Sequence, residues 1–316
     1  MKYIVLLLLS LLMLSCQNNT KKNNEDSEIQ IDETETNINE TVLKRPIEIV
    51  MDKDVPIKNY FKWMDSIVAD HNAHKNYLID EYLIVHNNKW IIDTLAHTDY
   101  YYLMDKGIFN EDSQALIALK KDQILVIPDS LETQQLKTEL ENTSIELNIP
   151  EFRLRIIQNE MELYKFPVRV GKVGKRYLAM AKADVDMRTK PGIGEIIRVN
   201  KNPVYKNPQN NKRYFRTNRD DGKNTALPAI PWIEPSINGR SLGQLIHPTT
   251  NLATLEKASS NGCVGLRESD AWIVYYYAPL GTKVVFKYEL QGTNDLGERV
   301  EFNDIYPGFA NRTQAF

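Results

Sequence analysis

From Ser144 to about residue 290 the chain consists of short runs rich in Val, Ile, Tyr and Phe, cut apart by Gly, Pro and Asn. Runs of that length and composition suit strands, because β-branched and aromatic side chains pack on a pleated surface while the punctuating residues reverse the chain. The segment is therefore expected to be mainly β. Ser269 to Tyr277 is the exception, a helix with Ser269 near its start and Pro279-Leu280-Gly281 ending it. Its Trp272, Ile273, Tyr275 and Tyr276 are expected in the core. From Lys201 to Gly243 the chain carries Tyr205, Lys212, Arg213, Tyr214, Phe215, Arg216 and Arg219, then the proline-rich Leu227 to Pro235, which reads as irregular loop or a short edge strand.

Residues 46–142 form a separate α+β unit in this reading. Tyr60 to Val68 has helical spacing of apolar residues; Tyr82 to Val85 and Lys89 to Asp93 flank His86-Asn87-Asn88 like a hairpin. Leu116 to Lys120 and then Asp122 to Pro128 faintly resemble the closing strand of LysM wall-binding modules. The alternative is a scaffold that packs on the β-rich segment. His71 and His74 could open a metal site, but no cysteine follows at ligand spacing, and no metal is expected.

At the start, Lys2 precedes an apolar run from Tyr3 to Leu14 that ends in Met13-Leu14-Ser15-Cys16. A bilayer span takes about 20 residues, so the run is too short to cross and suits a signal-peptide core. It resembles a bacterial lipobox. Residues 1–15 would then be a lipoprotein signal peptide and Cys16 the lipidated first residue of the mature chain, each buried methylene contributing about 0.8 kcal/mol of membrane attachment. An ordinary secretory signal with a coincidental Cys is the alternative. Gln17 in place of Asp favours the outer membrane by the sorting habit of enteric lipoproteins. Residues 16–45 are dominated by Asn, Thr, Glu, Asp and Lys with few apolar side chains, which cannot bury enough surface to offset ordering, so a tether reaching some 30 Å is expected. The expected address is the cell envelope, facing the periplasm.

The chain has two Cys, Cys16 and Cys263. With the first assigned to lipid, no disulfide is available and the second is a free thiol in an exported chain. It sits in Ser259-Ser260-Asn261-Gly262-Cys263-Val264-Gly265-Leu266, with His247 upstream after Leu245-Ile246. A thiol attacks carbonyls as thiolate, and at its ordinary pKa of about 8.5 only a few per cent is ionised at neutral pH, so an adjacent imidazole is the usual remedy. Gly262 lets a substrate backbone approach and the chain turn sharply. The amides of Asn261, Gly262 and Cys263 could point at a developing oxyanion, with Ser260 shaping the turn. The bland reading is a cysteine packed as a small hydrophobe.

The string resembles the L,D-transpeptidase catalytic domain (YkuD type, also called the ErfK/YbiS family), whose signature is a His followed after a variable loop by S-x-G-C-x-x-L or -M. His247, Ser260, Gly262, Cys263 and Leu266 supply it. Ile145 to Asn148 and Phe152 to Ile156 look like that family's first two strands, and Glu162 to Tyr164 and Phe166 to Gly171 like the rest of its opening meander. Thr189-Lys190-Pro191-Gly192 is similar to its T-P-x-G turn and Gly281-Thr282-Lys283-Val284 to its closing strand. The resemblance implies a sandwich or barrel-like catalytic domain over residues 143–290, leaving 291–316 as a C-terminal tail. It also implies a His247 oriented by the backbone carbonyl of Pro248, where many members carry Gly or Ser. Asn261 stands where His is frequent, and Gly265 where Arg or Asn is common, which makes Arg267 the candidate to replace the missing charge.

What the resemblance implies about function is a lipid-anchored peptidoglycan L,D-transpeptidase in which Cys263 forms a thioester with a stem tetrapeptide and hands it to an amine, without metal or organic cofactor. Arg267, Trp232 and Arg216 are the candidate substrate contacts, since basic and aromatic groups suit stem-peptide carboxylates and glycan faces. The 201–243 segment reads equally as a solvated charged loop with one buried Trp. Two other classes stay open: hydrolysis by the same Cys and His, as an L,D-carboxypeptidase or endopeptidase, and a wall-binding lipoprotein whose catalytic fold has decayed. The partners expected are stem peptides and, through the anchor, a membrane. Nucleic acid is excluded by the net charge of −3 and the lack of a dense basic stripe. Gly171 to Gly174 and Gly192 to Gly194 lack the strand-to-helix context of a nucleotide fingerprint.

Overall fold

A computed structural model describes residues 46–294 and 296–309. The signal, the tether and Cys16 lie outside the described residues.

The chain from Thr143 onward alternates inward and outward side chains. In β1 (Thr143–Asn148) and β2 (Arg153–Gln158), Ile145, Leu147, Leu154 and Ile156 are buried while their neighbours reach outward, the period-2 pattern of a sheet with one dry face. A tight reversal at Asn159 and Glu160, both at positive φ, leads into β3 (Met161–Pro167). The sheet continues through β4 (Gly192–Asn200), β5 (Trp232–Ile237), the short β6 (Arg240–Ser241), β7 (Ile246–Pro248), β8 (Val264–Leu266) and β9 (Lys283–Lys287). These nine strands are ordered β8-β7-β5-β4-β9-β1-β2-β3, with β6 paired to β5. The pairs β7/β8 and β9/β1 are parallel, the others antiparallel.

The ring closes just past β3. Arg169 forms an antiparallel bridge with Gly265 of β8, its N–H donating to the Gly265 carbonyl at 3.0 Å and its carbonyl accepting the Gly265 N–H at 3.0 Å. Val170–Gly171 then pairs with Ala258–Ser260. The result is mainly β and barrel-like, as the sequence pattern requires.

The proline-rich stretch is no edge. Trp232–Ile237 lies inside the sheet, between β4 and β7, because Pro235 is placed where no N–H is needed. Its partner Ile196 sits at a bulge and donates instead to the Thr282 carbonyl at 2.9 Å.

Residues 46–142 supply helices α1 (Ile57–His74), α2 (Glu81–Asn87), α3 (Trp90–Ala96), α4 (Tyr100–Asp105) and α5 (Ser130–Glu141). The expected hairpin over residues 82–93 is α2 and α3. An apolar run of four suits a buried strand or a buried helix equally, and local chemistry decides: the Asp80 carboxylate accepts the Leu83 N–H at 2.9 Å, capping α2. Asn88 ends it by bonding the Ile84 carbonyl at 2.7 Å and both backbone groups of Val126. Ile124–Ile127 is a strand, paired antiparallel with Ile47–Val50.

The last helix, α6 (Glu268–Tyr277), is apolar nearly all round, as a helix enclosed on every side must be. Trp272, Tyr275 and Tyr276 are fully buried, with Phe61 of α1 and Tyr82 of α2 against them. Tyr60 and Tyr276 share a hydrogen bond of 2.6 Å, and His86 Nε2 donates to the Tyr276 carbonyl at 2.8 Å. The helices and the sheet thus share one core. Past β9, Tyr306 is also fully buried, stacked on Tyr288 at 5.5 Å.

Candidate active site

β7 and β8 run parallel with Ile246 opposite Val264 and His247 opposite Gly265. Paired residues project from the same face, so His247 stands beside the end of the strand on which Cys263 enters. Cys263 is half-buried. Its Sγ accepts the Leu245 N–H at 3.4 Å.

The turn before it is held by a small hydrogen-bonded frame. Gly262 lies at φ +111°, a conformation that L side chains avoid. Ser260 Oγ accepts the Gly262 N–H at 3.1 Å and donates to the Cys263 carbonyl at 2.6 Å. That fixes the turn and occupies one expected oxyanion donor. Among the described residues the amides of Asn261 and Cys263 have no acceptor and remain for that role. From below, the buried Thr189 hydroxyl donates to the Gly262 carbonyl at 3.0 Å and accepts the Gly171 N–H at 2.8 Å. Thr189 is held in turn by its N–H donating to Tyr306 Oη at 3.2 Å. Gln244, just before β7, accepts the Lys190 N–H at 3.0 Å and donates to the Arg188 carbonyl at 2.9 Å, holding the turn that carries Thr189.

His247 Nδ1 lies 2.8 Å from the Pro248 carbonyl. A carbonyl only accepts, so Nδ1 carries the proton and the Nε2 lone pair is left to act as base. The ring packs against Trp232, centroids 5.5 Å apart; Trp232 packs edge-on against Tyr205 at 4.8 Å, and Tyr205 against Tyr214 at 5.9 Å. This aromatic enclosure strips water from the imidazole. Its pKa falls to about 4 through burial first and the nearby Arg169 charge second, against the Pro248 hydrogen bond. Burial likewise pushes the Cys263 thiol above its ordinary value, with the Leu245 hydrogen bond and Arg169 opposing.

The 201–231 segment covers the site. A cleft of about 400 Å³ opens between Asn261 and the stretch that carries Lys212, Arg213 and Tyr214. The base of this cover is pinned elsewhere: Arg219, buried, pairs with the buried Glu268 at 2.5 Å and lies over the Tyr100 ring.

Of the residues singled out from sequence, Ser260, Asn261, Gly262, Cys263, His247, Pro248 and Trp232 come together. Arg216 does not join them; it pairs with Glu111 at 2.5 Å and with Asn224. Arg267 is exposed at the head of α6, where Asp270 feels its charge. Three residues of the site escaped the sequence reading: Arg169, noted only as part of a strand; Thr189, noted only as part of a turn; and Tyr306, in the C-terminal stretch. Among the described residues no group of His, Cys, Asp and Glu could hold a metal, and no helix is long and apolar enough to cross a membrane.

Residues 142–286 match the model of the L,D-transpeptidase catalytic domain, YkuD. No curated protein matches the sequence. Similar solved structures include an L,D-transpeptidase from Mycobacterium smegmatis, 12 % identical over 46 % of this chain and 58 % of that one, TM-score 0.31. Another is from Mycobacterium tuberculosis H37Rv, 14 % identical over 46 % and 57 %, TM-score 0.29. A third is from Xylanimonas cellulosilytica DSM 15894, 11 % identical over 77 % and 98 %, TM-score 0.34. The chain spans less than two thirds of the length of the two mycobacterial proteins. The stretch that matches the L,D-transpeptidase catalytic domain, YkuD, residues 142–286, is the one that holds His247 and Cys263.

Proposed function

We propose that the protein is a peptidoglycan L,D-transpeptidase working through a Cys263 thioester. The observation that carries this is the pairing of a strained Gly262-Cys263 turn with a His247 whose Nδ1 is held by the Pro248 carbonyl, leaving Nε2 as a base on the neighbouring strand.

His247 Nε2 takes the thiol proton as Sγ attacks the carbonyl of the third stem residue, diaminopimelate. The developing oxyanion lies against the amides of Asn261 and Cys263. The C–N bond to the terminal D-alanine breaks, and the imidazolium returns its proton to the leaving amine. An incoming amine then attacks the thioester, gives its proton to His247 and frees the sulfur. The polar cleft beside Asn261, with Lys212 and Arg213 on its rim, suits an anionic peptide.

The test is product analysis with tetrapeptide muropeptides. Wild type should yield a new amide and a thioester adduct at Cys263 visible by mass spectrometry, and Cys263→Ala should give neither. Turnover by that variant would exclude the mechanism. Release of D-alanine without an amide product would replace transfer with hydrolysis.

The N-terminal sequence supports a second part of the proposal, that Cys16 carries a lipid anchor placing the enzyme at the envelope. Cys16→Ser should move the protein to the soluble fraction with turnover unchanged; tight membrane attachment of that variant would remove the anchor.

A further inference from the structure

Gly265 is the meeting point of two strand pairings. Arg169 bridges it from one side and His247 pairs with it from the other, so both side chains rise on the face where Gly265 has none. The space is filled by arginine: a Cβ on Gly265 would lie 2.5 Å from Arg169 Nε and 2.7 Å from its Cγ. The guanidinium is poorly served by the protein. Its Nε is fully enclosed without an acceptor, and Nη1 reaches only Thr254 Oγ1 at 3.4 Å. Among the described residues no carboxylate pairs with it. The groups that would favour its charge, Cys263 and Tyr214, are both pushed towards their neutral forms by burial.

Enclosing a cation without a counter-ion is costly, and a site that does so is completed by an anion. Arginine's planar fork matches a carboxylate, and its location beside the nucleophile and the base fixes which carboxylate can reach it. We propose that Arg169, seated in the space Gly265 leaves open, binds the free terminal carboxylate of the residue expelled from the donor, so that the enzyme acts only at the end of a peptide. This rests on the acyl-transfer reading and names its donor class: a peptide whose leaving residue is an amino acid with an unblocked carboxylate.

The test separates binding from turnover. Full-length Cys263→Ala, which cannot react and has no thiolate for Arg169 to serve, is titrated by calorimetry with a stem tetrapeptide ending in D-alanine and with the same peptide as its C-terminal carboxamide. The acid should bind at least tenfold more tightly than the amide, and adding Arg169→Gln should erase the difference while Arg169→Lys keeps part of it. Equal affinities, or no binding of either peptide, overturn the proposal. If Arg169 serves only the sulfur, the acid and amide bind alike and Arg169→Gln instead shifts the pH profile of Cys263 alkylation in the otherwise wild-type protein. Since the acid-to-amide comparison needs no change at position 169, a folding defect in the Arg169 variants leaves it decisive. Turnover of the same peptides by wild type reports separately on acyl transfer.

Discussion

Cys263 and His247 are shifted in opposite directions, the thiol up and the imidazole down to about 4, so at neutral pH both are uncharged. The sulfur is then not a standing thiolate; the proton moves as the substrate carbonyl arrives and water leaves. Two consequences can be measured. Iodoacetamide should alkylate Cys263 slowly at pH 7, with a rate that climbs with pH beyond the range of an ordinary thiol; fast alkylation independent of pH between 5 and 8 would mean a resting ion pair instead. Since a protonated imidazole cannot take a proton, the acid limb of kcat/KM should lie near pH 4 rather than at the usual histidine value of about 6.5. These two residues were legible because their spacing and the flanking Ser260 and Gly262 form a local string. Arg169 was not, because its relation to Gly265 exists only across the closure of the sheet; the sequence shows a glycine lacking a charge and an arginine far away, with nothing to connect them.

Among the elements, the strands of the opening meander and α6 follow from periodicity and turn residues alone. β5 does not, since Pro235 within it and Pro231 just before it argue against a strand inside a sheet, and only the bulge opposite Pro235 makes it tolerable there. α2 and α3 were ambiguous for a different reason: their apolar runs are short, and the caps that decide the matter, Asp80 and Asn88, read equally as turn residues. The turn between the 183–186 strand and β4 also has more to do than reverse the chain. Its Thr189 hydroxyl joins the carbonyl of Gly262 to the amide of Gly171. Thr189→Val keeps the shape and leaves two buried backbone groups unpaired, a loss of about 1–3 kcal/mol in unfolding free energy by denaturant titration. Because the same carbonyl precedes Cys263, acyl transfer should fall on the order of tenfold as the nucleophile loses its alignment. Stability lost with rates intact would show that Thr189 supports the fold alone.

On the scale of the whole molecule, α6 decides how residues 46–142 relate to the sheet. Its Trp272 and Tyr275 meet Phe61 of α1, and its Tyr275 and Tyr276 meet Tyr82 of α2, inside the core that the helices and the sheet share. Removing residues 46–141 would bare a large aromatic surface, several side chains each worth about 1.5–3 kcal/mol of burial. That truncation should aggregate or melt far below the full chain in a thermal scan; a soluble, cooperatively folded fragment would contradict the shared core. The composition of α6 hinted at this, since a helix with no polar face needs a second cover, but the identity of that cover waits on tertiary packing. The seam between Arg169 and Gly265 has a consequence in time. It joins the last strand of the meander to one that emerges much later from the ribosome, and a contact so distant along the chain forms only after most of the entropy of closure has been spent. A nascent or refolding molecule can thus carry nearly all its secondary structure and still have no working pocket, so acyl transfer waits until that seam has closed.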